Sequence, residues 1–158
     1  MKNKRVLIWT SICFAAAVVL ISRSSFVAAL FTPPTELSEE HFAQFHLAQA
    51  LHTLPIDAQK EDAYNRHIHH LLNGVQAVTN DDGTLKSLTI NSNTSADVQT
   101  AKGIAIGDSL QAVITQYGEH YYTRREQGAD IIVYTDKQRF LEFWHWNDEV
   151  QEIRLGFM

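Results

Sequence analysis

Residues 6–21 (VLIWTSICFAAAVVLI) form an uncharged, mostly apolar run directly after Lys2, Lys4 and Arg5. No other feature narrows the fold as much. An apolar run of this kind is accommodated in a bilayer, in a cleaved leader or in a buried helix. Sixteen residues span roughly 24 Å as a helix, a little short of the ~30 Å hydrocarbon core. Residues 22–25, or a snorkelling Arg23, close that gap. The bases before the run and Glu36, Glu39 and Glu40 after it orient the N-terminus inside. The segment therefore reads as a single-pass signal anchor in the cell membrane. Its N-terminus is cytoplasmic, the rest of the chain is extracytoplasmic, and membrane lipid is the expected partner of residues 6–21 and their flanks. The alternative is a signal peptide cut after Val27-Ala28-Ala29, which would release a secreted domain.

Charge is divided in the same way. The chain of 158 residues has a net charge of −5. The first 31 residues carry four bases and no acid, so the remainder sets nine bases against all eighteen acids. A body this acidic excludes nucleic acid as a partner, since phosphate binding needs a basic footprint. The single cysteine, Cys13, excludes an internal disulfide and a Cys-rich zinc site. It lies inside the apolar run, without the small-residue box of a lipid-attachment site.

The pattern predicts an α+β fold. It comprises an N-terminal transmembrane helix, a helical hairpin and an antiparallel β-meander with one short packed helix. Residues 1–31 are the cytoplasmic tip and anchor, 32–37 a linker broken by Pro33-Pro34, and 38–158 the α+β domain. In residues 38–53, Phe42, Phe45, Leu47, Leu51 and the adjoining Leu54 fall at helical spacing, and Pro55 ends the run. A second helix is expected over 58–73, with Tyr64, Ile68, Leu71, Leu72 and Val75 on one face and Gly74 at its end. Together these make the helical hairpin of 38–74. A β-hairpin over 75–91 turns at Asp81-Asp82-Gly83. In the block 103–158, a helix spans 108–117, with Asp108 and Gln111 as a capping box and Gly118 as its stop. Strands follow at 120–126, 130–135, 139–146 and 150–157. Leu85, Leu88 and Ile90 are echoed by Val150, Ile153 and Leu155, which suggests a duplicated helix-plus-meander unit.

Three patterns bear on chemistry. Gly107-Asp108-Ser109-Leu110 carries the letters of a GDSL-type serine hydrolase. A serine nucleophile needs a base, an orienting acid and oxyanion donors. No Asp-x-x-His occurs, and only 49 residues follow Ser109, so a turn and helix cap explain the letters better. His41, His46 and His52 fall on the first expected helix, and His67, His69 and His70 on the second. A metal site needs three or four converging ligands, and no HExxH is present. These histidines read as a polar face that gains charge in mild acid. No cofactor or metal is expected.

The strand Phe140-Leu141-Glu142-Phe143-Trp144-His145-Trp146 carries the third pattern. Alternation puts Leu141, Phe143 and His145 on one face, and Phe140, Glu142, Trp144 and Trp146 on the other. The second face is either covered by the helical hairpin or exposed. If exposed, Trp144 and Trp146, with Tyr122 from a nearby strand, form an aromatic patch that binds a protein or peptide.

A spaced set of residues runs through the last third of the chain. It comprises Gly103-Ile104-Ala105-Ile106-Gly107-Asp108-Ser109, then Val113 and Tyr117-Gly118, then Tyr134, Leu141-x-Phe143 and Val150-x-x-Ile153. This pattern resembles the SmpA/OmlA (BamE-like) domains of bacterial envelope proteins, and related membrane-anchored domains of Gram-positive cells. It departs from them in having Gly118-Glu119-His120 where the family often has Gly-x-Pro. The resemblance implies a small extracytoplasmic α+β domain that works by binding proteins. The expected function is accordingly a non-enzymatic binding or scaffold module of the envelope, with another envelope protein as partner. Its surface would be the Trp144/Trp146 face or a free sheet edge. A secreted ligand-binding or inhibitor domain is the alternative, with a hydrolase at Ser109 or a His-dependent metal protein behind it.

Overall fold

The computed structural model describes residues 31–56 and 68–158, together with Ala28. The chain divides into two compact units, Met1–Thr32 and Pro33–Met158. In the first, the Thr32 N–H and hydroxyl both donate to the Ala28 carbonyl, at 3.1 and 2.8 Å. The second carries the sheet.

Two short strands come first, β1 (His41–Phe42) and β2 (Phe45–His46). Then come β3 (Ile68–His70), β4 (Gln76–Thr79) and β5 (Leu85–Asn91). The helix α1 (Leu110–Tyr117) precedes β6 (Tyr122–Glu126), β7 (Ala129–Thr135), β8 (Arg139–Trp146) and β9 (Glu149–Phe157). Strands β3 to β9 form one antiparallel sheet in the order β3-β4-β5-β9-β8-β7-β6. The last strand therefore returns to the middle and pairs with β5.

Alternation sorts the side chains. Leu88, Ile90, Ile132, Tyr134, Leu141, Phe143, Ile153 and Leu155 point into the main core, all at most 1% exposed. Val113 and Tyr117 of α1 and the Phe42/Phe45 pair of the first hairpin join it, as do Leu71, Leu85, Ile104 and Val150. Glu40, itself buried, ties these pieces together. Its Oε1 accepts from the Ala101 N–H at 2.7 Å, and its Oε2 accepts from the Tyr117 hydroxyl at 2.9 Å. Burial, then the Glu40 charge, pushes the Tyr117 hydroxyl far above its ordinary pKa. The hydroxyl stays protonated and donates to the carboxylate.

The sheet has a local twofold relation. Leu88 pairs with Leu155 and Ile90 with Ile153, on either side of Thr89 and Arg154. The two echoing segments are thus the two central strands. Each contains one residue skipped by its hairpin partner. Lys86 is passed over between the pairs Val78–Ser87 and Thr79–Leu85, and Gln151 between Trp144–Glu152 and His145–Val150. These β-bulges explain the apolar-x-x-apolar-x-apolar spelling, since the extra residue interrupts the period of two.

The α+β expectation is corrected to a mostly β fold. The helical hairpin over 38–74 is not formed. In its first arm Phe42 and Phe45 face each other across the two-residue turn Ala43-Gln44. Residues i and i+3 share a face across such a turn, as they do on a helix, so their spacing alone cannot separate the two. The only helical turn there is the 3-10 segment Leu51–Thr53. In the second arm, Ile68–His70 is a strand paired with β4. Leu71 and Val75 close that hairpin, with the Leu71 N–H donating to Val75 O at 2.8 Å. Their i, i+4 spacing imitates a helix. The turn between them holds Asn73 and Gly74, both at positive φ, the Asn-Gly preference of tight hairpins. Residues 58–67 of the expected second helix lie outside the described residues.

The single-pass membrane placement, N-terminus inside, is also corrected. Among the described residues no helix is long and apolar enough to cross a membrane. The helix α1 has eight residues and spans about 12 Å. The expected anchor at 6–21 lies outside the described residues.

Candidate functional site

The face of the sheet opposite the main core carries a second, smaller cluster. Ile131, Val133 and Trp144 are its buried members, with Tyr122, Ala129 and Phe140 packed around them. Cross-strand register builds it: Arg124, Ile131, Trp144 and Glu152 are successive partners across β6, β7, β8 and β9. Long charged side chains lie over the apolar floor. The Arg154 guanidinium sits 4.0 Å from the Trp144 ring centroid and that of Arg124 sits 5.6 Å away. Glu142, also buried, organises them. Its Oε1 accepts from Arg124 Nη2 at 2.8 Å and its Oε2 from Trp144 Nε1 at 3.1 Å. Arg124 also pairs with Glu126, and Arg154 with Glu152. Burial and the Glu142 charge raise the Tyr122 hydroxyl above its ordinary range.

The three residues of the expected patch therefore take different roles. Trp144 is buried beneath arginine stems and its indole N–H is already used. Tyr122 is half-buried at the rim of the same cluster. Trp146 stands apart and is 58% exposed, its ring lying against Gly128 in the β6–β7 turn. The cover over Trp144 comes from neighbouring strands of the sheet and not from a helical hairpin.

A cleft of about 360 Å³ opens at this end of the sheet, beside Trp146. Its walls include Trp144, Trp146, Asn91, Asn93, Gln151 and Glu152. Sequence reasoning found the two tryptophans but missed the amides, because Asn91 and Gln151 approach them only through the β5–β9–β8 pairing. The bulge at Gln151 places an extra side chain at the rim.

The other patterns resolve as local structure. Ser109 is the N-cap of α1 and its Oγ accepts from the Ala112 N–H at 3.2 Å. Asp108 accepts from the Ala105 N–H at 2.8 Å and holds the preceding turn, so the cap falls one residue later than expected. Among the described residues no histidine hydrogen-bonds to Ser109. His41 and His46 stack as a cross-strand pair with centroids 4.7 Å apart. His69 contacts the Thr79 hydroxyl at 3.4 Å. Among the described residues no three His, Cys, Asp or Glu side chains converge to hold a metal.

At its β6 side the sheet ends in a free edge: among the described residues no strand pairs with the outer side of Tyr122–Glu126. Just past the start of β6, an extended stretch of the chain already uses this edge. The Thr35 N–H donates to Thr135 O of β7 at 2.8 Å, and the Thr35 hydroxyl donates to His120 O at 3.3 Å. No protein-family model, curated protein or solved structure matches this chain.

Proposed function

We propose that the protein is a non-enzymatic binding module that takes an extended segment of a partner protein along β6. The outer edge of β6 is the observation that carries this reading. A terminal strand offers a row of backbone donors and acceptors that a partner strand can satisfy. Arg124, held by Glu126 and Glu142, braces the strand from the side of the sheet. A braced edge loses little conformational entropy on binding. Thr123 and Arg125 are exposed on it and are available to select the partner's side chains. The resemblance to small protein-binding domains supports the same reading.

A photoreactive residue in place of Thr123, in the full chain in cells, tests it. The expected result is a discrete protein adduct that is absent when the probe replaces the exposed Lys86 instead. Backbone N–H directions alternate along an edge strand, so Arg124→Pro or Arg125→Pro removes an outward donor. One of the two should abolish the adduct while leaving the circular dichroism spectrum intact. Identical adducts from both probe positions, or adducts that survive both proline variants, would sink the proposal.

A further inference from the structure

We infer that the cleft beside Trp146 is a binding site for a neutral oligosaccharide. It lies apart from the β6 edge and does not depend on the function proposed there. Three observations converge. The first is an aromatic platform. Trp146 is 58% exposed, yet its ring is seated against Gly128, whose added Cβ would lie 3.8 Å from Cζ3. A pyranose presents an apolar C–H face that an exposed indole desolvates well.

The second is the rim. Asn91, Asn93 and Gln151 each carry an amide that both donates and accepts, which matches hydroxyls that do the same. The rim is organised before any ligand arrives. Asn91 Oδ1 accepts from the Asn93 N–H at 2.9 Å, and the Asn91 N–H donates to the Thr94 hydroxyl at 3.0 Å. Gln151 projects from the bulge in β9.

The third is charge. The one carboxylate in the wall, Glu152, is paired with Arg154. A site without uncompensated charge favours a neutral ligand over a phosphate or a nucleotide. A proline-rich peptide also stacks on tryptophan, but it docks in grooves lined by several aromatic rings. Here Trp146 is the one exposed aromatic ring in the wall, since Trp144 is buried with its N–H committed to Glu142. The cleft of about 360 Å³ falls at the small end of ligand sites, which run from roughly 300 to 1,000 Å³. It suits a short length of glycan.

Tryptophan fluorescence of the full chain, titrated with chitohexaose, cellohexaose and maltohexaose, tests the inference. At least one sugar should give a saturable change in emission. Trp146→Ala should weaken binding about tenfold or more, read by calorimetry because the reporter is lost. Gln151→Ala should weaken it by a smaller factor, and Trp146→Tyr should retain part of it. Trp146 is exposed, so Trp146→Ala should leave the unfolding midpoint nearly unchanged, which separates lost binding from lost fold. The inference fails if none of the three sugars changes the emission, or if Trp146→Ala binds as tightly as the wild type. It also fails if a proline-rich decapeptide binds in a Trp146-dependent way and the sugars do not.

Discussion

The two halves of the sheet make the same backbone connections with different residues. In the second half, the Gly107 N–H donates to Val150 O, the Val150 N–H to Asp108 O and the Leu110 N–H to Asp148 O. In the first half, the Ala48 N–H donates to Leu85 O, the Leu85 N–H to Gln49 O and the Leu51 N–H to Gly83 O. Phe45-His46-Leu47-Ala48-Gln49-Ala50-Leu51 thus occupies the place of Ile104-Ala105-Ile106-Gly107-Asp108-Ser109-Leu110. The outcome differs after the shared leucine. Ser109 caps an α-helix of eight residues, whereas Ala50 makes no side-chain cap and a three-residue 3-10 turn follows. The comparison separates what the framework requires from what a sequence adds to it. Backbone pairing with the central strands requires only apolar anchors. Helix length depends on the cap and on the apolar face that follows.

The largest test strikes the centre shared by both halves. Leu88→Ala and Ile153→Ala remove equivalent, fully buried side chains, and each should destabilise by about 2–5 kcal/mol in denaturant unfolding. One transition should be seen in both variants. A loss below about 1 kcal/mol for Leu88→Ala alone would mean that the first half is not part of one cooperative unit.

A smaller effect should appear at the equivalent turn. Ala48 has φ +64° and Gly107 φ +92°. Left-handed backbone disfavours alanine by roughly 1–2 kcal/mol, partly offset by the greater freedom of glycine in the unfolded chain. Ala48→Gly should therefore raise stability by up to about 1 kcal/mol, and Gly107→Ala should lower it by about as much. Thermal melting of both variants checks the opposite signs. Equal signs would break the equivalence.

The smallest contrast is in acid. Asp82 accepts from the Thr84 N–H and hydroxyl, and those bonds hold its carboxyl below the ordinary range. A depressed folded value means stability that is present above the unfolded value and is lost as pH falls through the folded one. Two residues before Glu149, where Asp82 stands relative to Thr84, the second half has Asn147, which does not titrate. Amide exchange in the β4–β5 turn should accelerate relative to the β8–β9 turn as pH drops below the ordinary aspartate range. Asp82→Asn should abolish that difference.

Much of the second half was legible in the sequence. Strands over 120–157 and a helix over 108–117 were expected within a few residues of β6 to β9 and α1, because period-two alternation and Gly, Asn and Asp turns are local signals. In the first half the β-hairpin over 75–91 is equally legible and forms as β4 and β5, but residues 38–74 mislead because Phe42/Phe45 and Leu71/Val75 have spacings shared by helices and tight hairpins. One local signal was available there. Asn73-Gly74 between apolar runs is a hairpin sign that also has the form of a helix stop. The site was half legible: Trp144 and Trp146 stood out, but their unequal burial did not.

By itself the sequence determined the acidic body, the single cysteine, the aromatic strand and the turns that punctuate the meander. These depend on composition or on neighbours a few residues apart. Only the tertiary structure decided that β9 returns to pair with β5, that arginines from β6 and β9 cover Trp144, and that Asn91 and Gln151 join Trp146 in one cleft. Each of those contacts crosses from one strand to another. Register between strands far apart in the chain is set by closing the whole sheet over its core, and a local pattern carries no record of it.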